Sequence, residues 1–174
     1  AIQICRALTP AATIIVTASS SKLERVLDLG ADHVIDYQES DFSKAVGELT
    51  NGDGADVILD HIGGPYLAAN LRAMAVGGRL ALIGTMGGRT AEIDLTRLMV
   101  KRQSIIGSVL RSRSIEDKTE IIRRFTADVM PHFTPEMSPV IDSVMPLHEA
   151  ADAHRRMEAS AHFGKIVLEV RQSQ

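Results

Sequence analysis

The chain has 174 residues, of which 45% are apolar and 24% charged, enough to bury a core and too much to read as a disordered tail. Its formal charge of −3, from 19 Lys and Arg against 22 Asp and Glu, argues against a general nucleic-acid binder, which needs a clustered basic excess. The single cysteine, Cys5, rules out an internal disulfide and a CxxC metal site and points to a reducing cytosol, and no apolar run reaches the roughly 20 residues that span a bilayer.

Ala1-Ile2-Gln3-Ile4-Cys5-Arg6-Ala7-Leu8 reads as a helix without an N-cap, as though the chain opened in its middle. Thr13-Ile14-Ile15-Val16-Thr17-Ala18 is β-branched and apolar throughout, the pattern of a strand covered on both faces. Ser21 and Glu24 have capping-box spacing before a helix with Leu23, Val26 and Leu27 on one face, and Gly30 ends it. Residues 33–37 give a second strand. Phe42, Ala45, Val46 and Leu49 recur at helical spacing, and residues 55–60 give a third strand. Pro65 opens a helix over 66–75, Gly77-Gly78 stops it, and residues 79–84 form a fourth strand. A fifth strand is predicted over 104–110 and a helix over 115–130 with Ile121, Ile122, Phe125 and Val129 on its apolar side. Beyond it Pro131, Pro135, Pro139 and Pro146 break the chain, leaving a short strand over 140–145, a helix over 147–159 and a last strand over 164–170. Strands alternating with helices imply a parallel sheet with right-handed crossovers, hence a doubly wound, Rossmann-like α/β domain.

In such a sheet ligands bind beyond the carboxyl ends of the strands. After the first strand come Ser19, Ser20, Ser21 and Lys22, where NAD-binding domains place an acid for the ribose 2′-hydroxyl. Hydroxyls and a lysine suit a 2′-phosphate instead. The plainer alternative is that Ser21 caps the helix and Lys22 is solvated. Tyr37 ends the second strand, where its ring can lie against an adenosine or simply sit half-buried. Asp60-His61-Ile62-Gly63-Gly64-Pro65 closes the third strand with paired glycines that let a ligand approach the backbone, or that make an ordinary turn. His61 without a partner reads as structural rather than catalytic. Gly84-Thr85-Met86-Gly87-Gly88 is a second ligand-permissive loop, with Ser108, Val109 and Leu110 ending the fifth strand beside it. The sequence holds no G-x-G-x-x-G, Walker A, G-x-S-x-G or HExxH motif, and its histidines lack metal-ligand spacing, so no metal is expected.

Several strings in order along residues 1–170 resemble one family. Thr13-Ile14-Ile15-Val16-Thr17-Ala18-Ser19-Ser20, Ile58-Leu59-Asp60 with Ile62-Gly63-Gly64, Gly78-Arg79-Leu80-Ala81-Leu82-Ile83-Gly84, Val109-Leu110-Arg111-Ser112-Arg113, Pro139-Val140-Ile141-Asp142, and Ala153-His154-Arg155-Arg156-Met157-Glu158 with Gly164-Lys165-Ile166-Val167-Leu168 are similar to NADPH:quinone oxidoreductases of the zinc-free medium-chain dehydrogenase/reductase superfamily. The resemblance implies an NADPH-binding domain over residues 1–135, lacking its first strand and glycine-rich loop. Residues 136–174 would return to an absent GroES-like catalytic domain, leaving Val140, Ile141, Val144, Ile166, Val167 and Leu168 without their usual cover. Such a chain would be inactive by itself.

The resemblance places the 2′-phosphate on Ser20, Lys22 and Tyr37, and cofactor-loop roles on Gly63, Gly84, Thr85, Ser108, Val109 and Leu110. It assigns no catalytic residue. It also implies a cytoplasmic enzyme that reduces a small quinone or activated alkene with NADPH, binds neither nucleic acid nor membrane, and forms a homodimer through the strand from Ile105 to Leu110. An enoyl or alkenal reductase of the same superfamily, and a nucleotide-binding module without turnover, are the alternatives.

Overall fold

In a computed structural model of the chain, which describes residues 1–134 and 137–170, strands and helices alternate through a first unit, Ala1–Ala127. Its elements are α1 (Ile2–Leu8), β1 (Ile15–Ala18), α2 (Leu23–Asp28), β2 (His33–Asp36), α3 (Phe42–Leu49), β3 (Ala55–Asp60), α4 (Gly64–Ala73), β4 (Met74–Leu82), α5 (Leu95–Val100), β5 (Ser104–Gly107) and α6 (Ile115–Asp128). Every strand pair is parallel: β1 lies beside β2, and β4 lies between β3 and β5. The expected Rossmann-like α/β class holds. The sheet, however, is two separate ladders, with no pairing between β1 and β3 among the described residues.

Side chains join what hydrogen bonds do not. Ile35 of β2, Val46 of α3 and Ala73 of α4 are buried together, with Ile15 of β1 and Ala55 and Ile58 of β3 packed against them. The amphipathic spacing of α3 supplies Phe42 and Ala45 to the same cluster. Asp41 starts that helix by accepting the Ser43 N–H at 2.9 Å. A second cluster joins Leu71, Met74 and Leu80, with Ile58, Leu67 and Leu98 against it. Strand alternation turns Ile58 and Leu80 toward the helices and Val57, Leu59 and Ile106 away, so these three remain exposed. β1, whose apolar run predicts cover on both faces, leaves Ile15 and Val16 half-buried and Thr17 exposed.

Three local features depart from the sequence reading. No side chain caps α2; Ser20–Lys22 forms a single 3-10 turn before it. The helix predicted to run to residue 75 ends at Ala73, and β4 begins at once with Met74. At this end Gln103, a buried side chain distant in sequence, donates its amide to the Leu71 and Met74 carbonyls at 3.0 Å each. The unpredicted helix α5 starts at Asp94, whose carboxylate accepts the Arg97 N–H at 3.0 Å.

The second unit, Asp128–Gln174, contains β6 (Ile141–Pro146), α7 (Ala150–Glu158) and β7 (Lys165–Glu169), with β6 and β7 parallel. The boundary expected at 135–136 falls on Pro135 and Glu136, outside the described residues. Arg156 of α7 pairs with Asp142 of β6 at 2.9 Å, and Asp142 accepts the Phe163 N–H at 2.9 Å. Gly164 turns the chain into β7 at φ +105°, and a Cβ there would stand 2.4 Å from the Val140 carbonyl oxygen. Ile141, Val144 and Val167 are exposed.

Back in the first unit, α1 is fastened by Arg6, whose guanidinium donates to the Gly30 carbonyl at 2.9 Å and to Asp32 at 2.7 Å. Asp32 also accepts the Ile14 N–H at 2.7 Å. That N–H bond, and then Arg6, hold the Asp32 carboxyl below the usual carboxylate range. A lowered folded-state value stabilises the fold above the unfolded carboxylate pKa of about 3.9, and the gain is lost as pH falls through the folded value. Stability measured by urea unfolding is expected to fall below about pH 4, and Asp32→Asn to flatten that fall. An identical pH profile for the variant would remove Asp32 from the account.

Candidate functional site

The carboxyl ends of β1 and β2 are held side by side, because Ala18 pairs with Asp36 and the Tyr37 N–H reaches the Ala18 carbonyl at 3.3 Å. Ser20 and Lys22 follow β1 in the 3-10 turn, and Tyr37 follows β2 with 45% of its surface exposed. Between them lies Asp36, which sequence reasoning read only as a strand residue. Its carboxylate accepts the Ser20 hydroxyl and the Gln38 N–H, the latter at 2.9 Å. The Ser20 bond, more than the Gln38 bond, lowers its pKa. The signal was an acid closing one strand beside a serine run that follows its neighbour.

At the ends of β3 and β4 two loops are laced together. The Gly64 N–H donates to the Gly88 carbonyl at 3.0 Å, Met86 to His61 at 3.0 Å and Gly87 to Ile62 at 2.9 Å. Gly63 sits at φ +86°, and a Cβ on it would stand 2.8 Å from the Gly88 oxygen, so only glycine allows this approach. A Cβ on Gly84 would likewise stand 2.9 Å from the His61 carbonyl oxygen. The result is a concavity of about 380 Å³ whose lining includes Gly63, Thr85, Arg89 and Thr90. Arg89 and Thr90 carried no signal in the sequence beyond following the glycine pair. His61 itself is exposed.

Beneath the loops Asp60, only 4% exposed, accepts the Ile62 N–H at 2.6 Å, the Gly63 N–H at 3.3 Å and the Asn70 amide at 2.9 Å. Asn70, 2% exposed and nearly two turns into α4 beyond the glycines, was not identifiable without the fold. Tyr66, near the start of α4, packs against α3. Its ring lies 5.1 Å from that of Phe42, and burial raises its hydroxyl pKa, with Tyr37 and Asp60 pushing in the same direction. At the end of β5 the Ser108 N–H extends the ladder to the Leu82 carbonyl at 2.9 Å, while Val109 and Leu110 are each 58% exposed.

Asp60→Asn replaces one accepting oxygen with an NH2 facing donors, leaving a buried N–H without a partner. The expected loss is about 1–3 kcal/mol of unfolding free energy, with Gly63 and Gly88 amides exchanging faster with deuterium. Unchanged protection at both glycines would show that the loops are held by something else.

Comparison with known proteins gives this arrangement a family. Residues 1–127 match the model described as zinc-binding dehydrogenase. The quinone oxidoreductase of Rattus norvegicus is 30% identical over 154 residues, 87% of this chain and 45% of its own. The solved quinone oxidoreductase of Thermus thermophilus, known also in complex with NADPH, superposes with a TM-score of 0.80 at 29% identity, covering 97% of this chain and 52% of that one. A solved NAD-dependent alcohol dehydrogenase gives 0.78 at 35% identity, covering 98% and 47%. The chain thus spans about half the length of the curated relatives it matches. Among the described residues no group of three or more His, Cys, Asp or Glu side chains is placed to hold a metal ion. No helix among them is long and apolar enough to cross a membrane. The chain belongs to the zinc-binding dehydrogenase family, and the likeness to quinone oxidoreductases of the medium-chain dehydrogenase/reductase superfamily, expected from its motifs, holds.

Proposed function

We propose that this chain is the nucleotide-binding part of an oxidoreductase that takes NADPH and reduces a quinone or a similarly electron-poor double bond. The observation that carries the reading is the group at the ends of β1 and β2: a serine run and Lys22 follow β1 where an acid would select NAD, and Tyr37 stands exposed across the strand pair. Its ammonium and ring, beside the serine run, suit a 2′-phosphoadenosine. NADPH would supply the hydride, and this chain would supply binding and orientation. In that role Gly63, Gly84 and Thr85 keep the backbone low enough for close approach, while the exposed apolar Val109 and Leu110 with Ser108 form a wall that keeps water from a flat ring.

The cofactor half of the reading is tested by Lys22→Ala in the full-length protein. NADPH affinity is expected to fall about tenfold with NADH affinity unchanged, the size of one charge-assisted contact. An unchanged ratio of the two affinities would overturn the 2′-phosphate assignment. Turnover of α,β-unsaturated carbonyls but not of quinones would move the substrate to the alkenals, and cofactor binding without reduction of any acceptor would leave a binding module.

We also propose that a second copy pairs along β5. All four residues of this strand at the open side of β4 are exposed, Ile106 at 48%. Sedimentation should find a dimer that Ile106→Lys converts to monomer; a wild-type protein already monomeric would refute the pairing. The exposed free thiol of Cys5 fits the reducing cytosol we propose as its compartment.

A further inference from the structure

We infer that Asp36 is a cofactor-specificity residue, supplying from the neighbouring strand the acid that does not follow β1 and restraining the preference for NADPH. The inference rests on the proposal that the adenosine ribose sits over Ser20, Lys22 and Tyr37. Asp36 is half-buried at the last position of β2, opposite Ala18 and directly beneath the serine run. One carboxylate oxygen accepts a hydrogen bond from the Ser20 hydroxyl, and the other accepts one from the Gln38 N–H. A serine hydroxyl has one proton to give. With that proton turned inward, Ser20 presents only lone pairs to whatever lies above it.

The consequences differ for the two dinucleotides. A ribose 2′-hydroxyl carries a proton of its own, so it can donate to the Ser20 oxygen or to Asp36 and complete the network. A 2′-phosphate has only acceptor oxygens and a charge of its own, so it meets lone pairs and a like charge there, and must draw its favourable contacts from Lys22 and from backbone N–H groups. An aspartate is ionised at neutral pH, and the Ser20 and Gln38 hydrogen bonds lower its pKa further, so the repulsion is present there. Lys22 and Asp36 thus oppose one another across Ser20, and the selectivity of the site is their difference.

The test is calorimetric titration of full-length protein with NADPH and with NADH, and with 2′,5′-ADP and 5′-AMP as the corresponding half-molecules. Asp36→Asn keeps the shape and an acceptor for Ser20 but removes the charge. It should raise the ratio of NADPH to NADH affinity by about tenfold, as expected for one partly exposed charge, and raise the ratio for the half-molecules in parallel. Asp36→Glu, which keeps the charge, should leave both ratios near wild type. A merely structural role would weaken all four ligands together, so equal losses, or ratios that do not move in Asp36→Asn, would overturn the inference. Lys22→Ala in the same series separates the two ideas. If it lowers the NADPH ratio while Asp36→Asn changes nothing, the 2′-phosphate site stands and the role of Asp36 falls; if it too changes nothing, the site itself is misplaced.

Discussion

The first unit depends on a small apolar cluster that does the work of a missing ladder. Ile35, Val46 and Ala73, with Ile15, Ala55 and Ile58 against them, hold two parallel sheets that exchange no hydrogen bond among the described residues. Packing of this kind is non-directional, so it sets proximity and leaves exact placement to polar contacts. The same helices also meet through side chains: α3 brings Phe42 and α4 brings Tyr66 into ring contact, and Arg72 of α4 donates to the Ser43 hydroxyl of α3 at 3.1 Å. The strands that lead to the proposed adenosine-end residues and to the glycine loops are packed together by this one cluster.

Polar placement is then fixed by two carboxylates of opposite circumstance. Asp60 is buried and fully engaged by two backbone N–H groups and an amide, so it sets loop shape and faces no ligand. Asp36 is half-buried and engaged by a hydroxyl whose geometry a ligand can rearrange. The same side chain, closing a parallel strand in each ladder, thus serves a structural purpose in one and the proposed recognition purpose in the other.

Element type was legible in the sequence because it is local: the helical spacing of Phe42, Ala45, Val46 and Leu49 yields α3, and the run ending in Asp60 yields β3. The position of the proposed binding residues was legible for the same reason, since parallel topology puts Ser20, Tyr37, Gly63 and Thr85 after strands. What was hidden is non-local. Gln103 reaches Met74 from 29 residues away, and Asn70 and Asp60 meet only once α4 has folded back. Asp36 was in view as a strand residue, but its bond to Ser20 exists only after the β1–β2 register is set. The split of the sheet was likewise unreadable, because apolar runs report burial and not which edge is paired.

All strand pairs here are also closed at short range: Ile15 meets His33, Leu80 meets Ile105 and Val144 meets Val167. Each closure spans about 20 residues and one helix, so the loop-entropy cost of forming it is nearly the same for every pair and none waits for a distant one. Such a chain can assemble as successive strand–helix–strand units, each a cooperative piece with its own opening free energy. In the first unit the group after β1 and β2 needs only its own strand pair and the glycine loops only β3 and β4, while Ile35, Val46 and Ala73 pack the two ladders together.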